Sequence, residues 1–173
     1  EDGGKNVLPD IAASVKEYME KEGYTNDQII GIGIGVPGPV SDAGIVNKCV
    51  NLGWGIIDLH GELSVLTGLN VKGGNDANVA ALGECWKGGG QGAKDMVMAT
   101  LGTGVGGGVV VGGKVIPGFH GAGGEIGHIT MNPREKEACG CGKFGCAEQY
   151  CSATGVVRMT KRYLASHKAD SML

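Results

Sequence analysis

One histidine and three cysteines between His128 and Glu148 constrain this chain more than any other feature. The stretch reads Gly127-His128-Ile129-Thr130 and then Cys139-Gly140-Cys141-Gly142-Lys143-Phe144-Gly145-Cys146-Ala147-Glu148. Thiolates and a neutral imidazole are the preferred donors of Zn²⁺, and four of them fill its tetrahedral shell, leaving no position open for a water. A structural zinc ion on His128, Cys139, Cys141 and Cys146 is therefore expected. Gly140, Gly142 and Gly145 suit a short loop that turns its sulfurs inward, because glycine tolerates positive φ. The competing explanation is ordinary reduced or disulfide-bonded cysteines. A Cys-x-Cys pair is too cramped for an easy mutual disulfide, and Glu1 to Lys5 carries neither an apolar signal region nor a cleavage site. Taken alone, His128 would read as a hydrogen-bonded core histidine, and its three cysteine neighbours reverse that.

The expected compartment is the reducing cytoplasm, where cysteines mean metal or free thiols. Cys49, Cys85 and Cys151 sit among apolar neighbours and are expected to pack as small hydrophobes. The 173 residues are 42% hydrophobic and 19% charged, enough for one ordinary domain or two small lobes. A net charge of -3 and no cluster of lysine or arginine argue against a nucleic-acid face and favour a small neutral or phosphorylated ligand. The longest apolar run, Ile29 to Val36, is interrupted by Gly31, Gly33 and Gly35 and is too short to span a bilayer.

Glycine supplies 35 residues, against a usual share of about 7%. It concentrates at 31–38, 102–108 and 118–127, each beside an expected strand, as turns that let a ligand come close. The apolar spacing of Leu8, Ile11, Ala12, Val15, Tyr18 and Met19 predicts an amphipathic helix stopped at Gly23. A buried strand follows from Ile29 to Val36, ending in the turn Pro37-Gly38-Pro39. Asp58 to Thr67 reads as a helix with Asp58 at its cap, and Leu69 to Lys72 as a short strand. Asn75 or Asp76 then caps a helix from Ala77 to Trp86, with Val79, Ala80, Leu82 and Gly83 on its packed face.

The glycine-rich segment 88–92 is the expected boundary between lobes at 1–93 and 94–173. A second buried strand runs from Asp95 to Leu101. The glycine loop 102–108 leads directly to another strand at Val109 to Val111. A dinucleotide fingerprint needs its glycines to open a helix. A glycine hairpin can instead offer backbone N–H groups and the Thr103 hydroxyl to phosphate oxygens, with a plain β-turn as the alternative. Ala147 to Ser166 is expected to be mostly helical, with Val156, Val157, Met159 and Tyr163 inward.

Five of these pieces, in this order, resemble the ROK family of bacterial sugar kinases and repressors, its glucokinase branch above all. They are the Gly33 to Pro39 turn, Asn75-Asp76-Ala77-Asn78, the Gly102 to Gly108 loop, Gly124-Glu125-Ile126-Gly127-His128, and the cysteine loop ending in Glu148. The resemblance implies an α/β, actin-like ATPase (ribonuclease-H-like) fold of two lobes with a cleft between them, both lobes incomplete here. It makes Asp76 the general base toward a sugar hydroxyl, with Asn75, Asp76, Glu125, His128 and Glu148 holding the hexose. Gly102, Thr103, Gly104 and Gly106 become part of the site for ATP and its Mg²⁺. One nitrogen of His128 would bind zinc while the other faces the sugar.

Glucose is the hexose implied by Asn51-Leu52-Gly53-Trp54 and Glu84-Cys85-Trp86-Lys87-Gly88. The alternatives are fructose, N-acetylmannosamine or N-acetylglucosamine as substrate, or a sugar-responsive repressor in place of a kinase. A homo-oligomer, dimer or tetramer, is the implied assembly. Family members open on a strand and an Asp-x-Gly-Gly-Thr hairpin. Glu1-Asp2-Gly3-Gly4-Lys5 imitates it without the flanking strands, so the first phosphate loop and the C-terminal part are expected to be missing. A poorly active fragment and an unpaired edge at Ile29 to Val36 follow from that.

Overall fold

The computed structural model describes residues 3–47, 49 and 52–167; Glu1, Asp2 and Asn51, used above, lie outside them. Helix α1 (Val7–Glu22) buries Leu8, Ala12 and Met19 and leaves the helix through Gly23, whose φ of 73° is left-handed. Tyr18, expected inward, is exposed beside Tyr24. Strand β1 (Ile32–Val36) begins at Ile32, where the N–H donates to Asn70 O at 2.7 Å. The run ahead of it stays outside the sheet, with Ile30 98% exposed.

Strands β2 (Ile45–Val46) and β3 (Ile57–Asp58) form a short antiparallel pair. Helix α2 (Leu59–Thr67) follows, and Asp58 caps it as predicted by accepting the Gly61 N–H at 2.9 Å. Strand β4 (Val71–Asn75) lies parallel to β1, from Ile32 opposite Val71 to Val36 opposite Asn75. It outruns the predicted Leu69 to Lys72 because its ladder partner continues. Among the described residues β4 is the only strand paired with β1. Leu59, Val36, Val46, Cys49 and Trp54 share one buried cluster, and Leu63 with Val71 and Ala12 another. Cys49 is thus a core residue, whereas Cys151 is exposed, contrary to its expected packing.

Helix α3 (Asp76–Lys87) lies against both this sheet and the antiparallel sheet of β5 (Met96–Leu101), β6 (Val105–Val111) and β7 (Lys114–Val115). Gly106, Gly107 and Gly108 belong to β6, so the connecting turn is only Gly102-Thr103-Gly104. Their role is close approach. A Cβ on Gly108 would stand 2.4 Å from Ala81 Cβ, and one on Gly106 would stand 3.1 Å from Ala77 Cβ. The packed face of α3 is accordingly Ala77, Asn78 and Ala81, while Ala80, Leu82 and Gly83 are exposed. Val79, 38% exposed, packs on the other sheet, over Gly35 of β1 and Gly74 of β4.

The C-terminal helix of the prediction is two helices, α4 (Glu148–Cys151) and α5 (Ala153–Ser166). Ser152 separates them and caps α5, accepting the Gly155 N–H at 2.9 Å and donating its hydroxyl to Glu148 O at 2.7 Å. Val156, Val157, Met159 and Tyr163 are exposed, and α5 meets α4 through Gly155 and Arg158. No described helix is long and apolar enough to cross a membrane.

Candidate active site and metal centre

The strand-to-helix junction from β4 to α3 sets the first part of the site. The Asn75 side-chain oxygen accepts the Asn78 N–H at 3.1 Å, and its amide nitrogen donates to Gly38 O at 3.2 Å. Asn75 is therefore the cap, and Asp76 is not. A carboxamide offers two donor hydrogens and two acceptor sites, so among the described residues one of each stays free on Asn75. Asp76 is exposed, and among the described residues its carboxylate accepts only the Ala77 N–H, at 2.8 Å.

A 3₁₀ turn, Ile126–His128, supplies the second part. It sits flush on β6, where a Cβ on Gly127 would meet Val105 O at 2.2 Å. Glu125 and His128 thereby share one side, with Nε2 of the ring 3.9 Å from a Glu125 carboxylate oxygen. The ring's other nitrogen, Nδ1, lies 3.7 Å from Cys139 Sγ. Glu148 closes the arrangement: one carboxylate oxygen accepts the Val105 N–H at 2.9 Å and the other lies 3.7 Å from Cys139 Sγ.

A cleft of about 550 Å³ has Asn75, Asp76, Glu125, His128 and Glu148 on its walls, together with Gly102, Gly104 and Gly106. Thr103 is not among its lining residues. A larger groove of about 790 Å³, lined by Leu8, Trp54, Ile57 and Leu66, is more apolar and contains none of these groups. The chemistry belongs to the smaller cleft, where acceptors and donors converge as hydroxyl recognition requires.

His128, Cys139, Cys141 and Cys146 place one donor atom each within 4.8 Å of one another, a set that can hold a metal ion. Cys141 Sγ and Cys146 Sγ are 3.6 Å apart. A tetrahedron with bonds of about 2.3 Å has edges of about 3.8 Å, so the spacing fits four-coordination. Burial pushes the Cys146 thiol up to about 11, and raises Cys139 too. Cys141 is also partly desolvated, yet the Lys143 N–H and the Cys146 thiol hold it below its ordinary value. Thiolate ligands bind deprotonated, so a bound cation would overcome the cost that burial imposes on all three.

The loop carrying these ligands is tied down locally. Gly145 O accepts the Met131 and Asn132 N–H groups at 2.7 and 3.1 Å. Gly142 and Gly145 take positive φ, of 85° and 72°; Gly140, expected to do the same, does not. Sequence reading missed a second restraint, in which Glu135 and Glu137 pair with Arg158 and Arg162 of α5. Tyr150 adds its hydroxyl to Glu135 at 2.8 Å. Arg158 and Arg162 stand four residues apart, on one face of a helix, which was the available signal.

Two sheets joined through one helix, with an acid-lined cleft beside a glycine turn, define an α/β fold of the actin-like ATPase type. The sequence profile of the ROK family matches residues 4–173, and the chain belongs to that family. It is 43% identical to the glucokinase of Halalkalibacterium halodurans over 173 residues, 99% of this chain and 52% of that protein. A ROK family glucokinase from Streptomyces griseus, solved with glucose and AMPPNP, superposes with a TM-score of 0.75 at 33% identity. That match covers 97% of this chain and 57% of the other. A ROK family transcriptional regulator, homologous to the E. coli MLC protein, gives a TM-score of 0.79 at 31% identity, over 93% of this chain and 41% of its own. The chain spans about half the length of the curated relatives it matches.

Proposed function

We propose that this chain carries the sugar pocket and one phosphate loop of an ATP-dependent hexose kinase that converts D-glucose to glucose 6-phosphate. The observation that carries the reading is Asp76: relieved of helix capping by Asn75, it lines the same cleft as Glu125, His128 and Glu148. In this role Asp76 takes the proton of the attacking sugar hydroxyl, as general-base assistance requires a carboxylate within hydrogen-bond reach. Phosphoryl transfer otherwise asks the protein for alignment and charge stabilisation. Glu125, Glu148 and the free half of the Asn75 amide accept and donate to hexose hydroxyls. Nε2 of His128 faces the same cleft while Nδ1 turns to the cysteines.

The turn Gly102-Thr103-Gly104, with Gly106 behind it, offers N–H groups to the ATP phosphates, and Mg²⁺ accompanies the nucleotide. Zn²⁺ is the metal that three thiolates and one imidazole favour, and it would order the loop between His128 and Glu148 without joining the transfer. The lobe division at residue 93, a cytoplasmic location and a homo-oligomeric assembly belong to the same proposal.

Sugar-dependent ADP release by the intact protein tests the reading. Glucose is expected to give the highest kcat/KM in a panel with fructose, N-acetylmannosamine and N-acetylglucosamine. Another hexose leading the panel would keep the kinase and change its substrate. The likeness to a transcriptional regulator supports a second reading, a sugar-responsive repressor. Sugar-induced thermal stabilisation without ADP release, together with sugar-dependent DNA binding, would establish that reading instead.

A further inference from the structure

The turn between β5 and β6 owes its shape to the junction of α4 and α5. Gly102 O accepts the Ala153 N–H at 2.9 Å, and Thr103 O accepts the Thr154 hydroxyl at 2.8 Å. Gly104 O is taken within the turn by the Gly102 N–H at 3.0 Å. All three carbonyls of the turn are thus occupied. Among the described hydrogen bonds, the N–H groups of Thr103 and Gly104 have no partner.

A trans peptide points its C=O and N–H in opposite directions. Holding the carbonyls of Gly102 and Thr103 against the α4–α5 junction therefore turns the next two N–H groups, those of Thr103 and Gly104, away from it. Consecutive N–H groups so directed form an anion-binding concavity. The Ala153 bond is made by backbone and survives any substitution there except proline. The Thr154 bond is made by a side chain and is the one the sequence chooses.

We infer that Thr154 is a positioning residue for the phosphate turn: its hydroxyl fixes the Thr103–Gly104 peptide so that Gly104 N–H, rather than Thr103 C=O, is presented to a phosphate oxygen. Without that hydroxyl the peptide is free to rotate and to offer an acceptor where an anion must sit. The inference rests on the kinase reading for its ligand, but the restraint itself does not.

The test uses Thr154→Val, which keeps the shape and removes the hydroxyl, and Thr154→Ser, which keeps the hydroxyl, both in the intact protein. Thr154→Val, which loses the bond to Thr103 O and the 3.1 Å contact with the Ser152 hydroxyl, should raise the KM for Mg-ATP about five- to tenfold and leave the hexose KM within about twofold. Amide exchange in the peptide covering 101–105 should quicken in the unliganded variant. Thr154→Ser should match the wild type in both measurements. Equal losses for ATP and hexose, a serine variant as impaired as the valine one, or unchanged exchange would each overturn the inference.

Should the wild type release no ADP with any hexose, the kinase reading fails and the turn is judged on exchange and on inorganic tripolyphosphate. Weaker tripolyphosphate binding by Thr154→Val then upholds the positioning role, and equal binding ends it.

Discussion

Asn75 caps the helix that Asp76 begins. The division of labour is visible in their partners: among the described residues the Asn75 oxygen takes the Asn78 N–H, and Asp76 keeps only that of its neighbour Ala77. Substituting the two should therefore separate stability from the chemical step. Asn75→Ala should lower stability by about 1 kcal/mol through the lost cap. Asp76→Asn should leave the Tm nearly unchanged while kcat falls about 10²- to 10⁴-fold, the usual contribution of a general base. Hexose affinity, followed by thermal shift, should stay close to that of the wild type for Asp76→Asn. A stable, fully active Asp76→Asn would remove Asp76 from the chemistry.

The glycines of β6 make a separate prediction about packing. Gly108→Ala would set a methyl 2.4 Å from Ala81 Cβ and 3.0 Å from Ala77 O, so α3 must withdraw from the strand. Overpacking of this kind costs about 1–3 kcal/mol. Gly33→Ala on β1 is the matched control, since a Cβ there meets nothing within 4 Å. Denaturant midpoints should fall for Gly108→Ala and hold or rise slightly for Gly33→Ala. Because α3 begins with Asp76, Gly108→Ala should also reduce kcat beyond its effect on stability.

Cys146 and Cys151 contrast a cluster member with a cysteine outside it. Cys146 is fully buried among the candidate ligands, while Cys151 is exposed and its thiol donates to Ala147 O at 3.1 Å. Cys146→Ser should abolish stoichiometric zinc, measured by elemental analysis, and lower Tm by at least about 5 °C. Cys151→Ser should keep both. Chelation of the wild type should weaken hexose binding, because His128 is shared between the loop and the cleft. A chelated sample that retained wild-type hexose affinity would separate the metal from the pocket.

The elements were most legible where a local rule acts alone. The Asp58 cap, the α1 periodicity ending at Gly23 and the metal-ligand spacing each depend on residues near one another in sequence. The errors share one cause, which is that distant partners decided the outcome. Gly106 to Gly108 read as loop because nothing near them in sequence announces that Ala77 and Ala81 will press against them. Val156, Val157 and Met159 read as core because an apolar stripe does not say which side of a helix meets its neighbour. The Thr154–Thr103 contact joins residues whose separation no periodicity can bridge.

Glu135 carries the last prediction, which concerns pH. Its side chain is only 4% exposed and is surrounded by Arg162, Arg158 and the Tyr150 hydroxyl. Hydrogen bonds from Arg162 first, then from Tyr150 and the Glu137 N–H, hold its carboxyl far below the ordinary 4.5. A folded-state pKa below the unfolded value means that the unfolded chain binds the proton more readily. The stabilisation is then complete above the unfolded pKa near 4.5 and is lost as pH falls from there toward the folded value. The wild type should lose Tm steadily below about pH 5. Glu135→Gln, which cannot ionise, should start lower at pH 7 and lose less over the same interval, so that the two curves converge in acid. Acid would also strip a metal held by the thiolates from both proteins, so the difference between the curves, not either curve alone, reports Glu135. Parallel curves would show that the Arg158 and Arg162 pairs add nothing to the folded state.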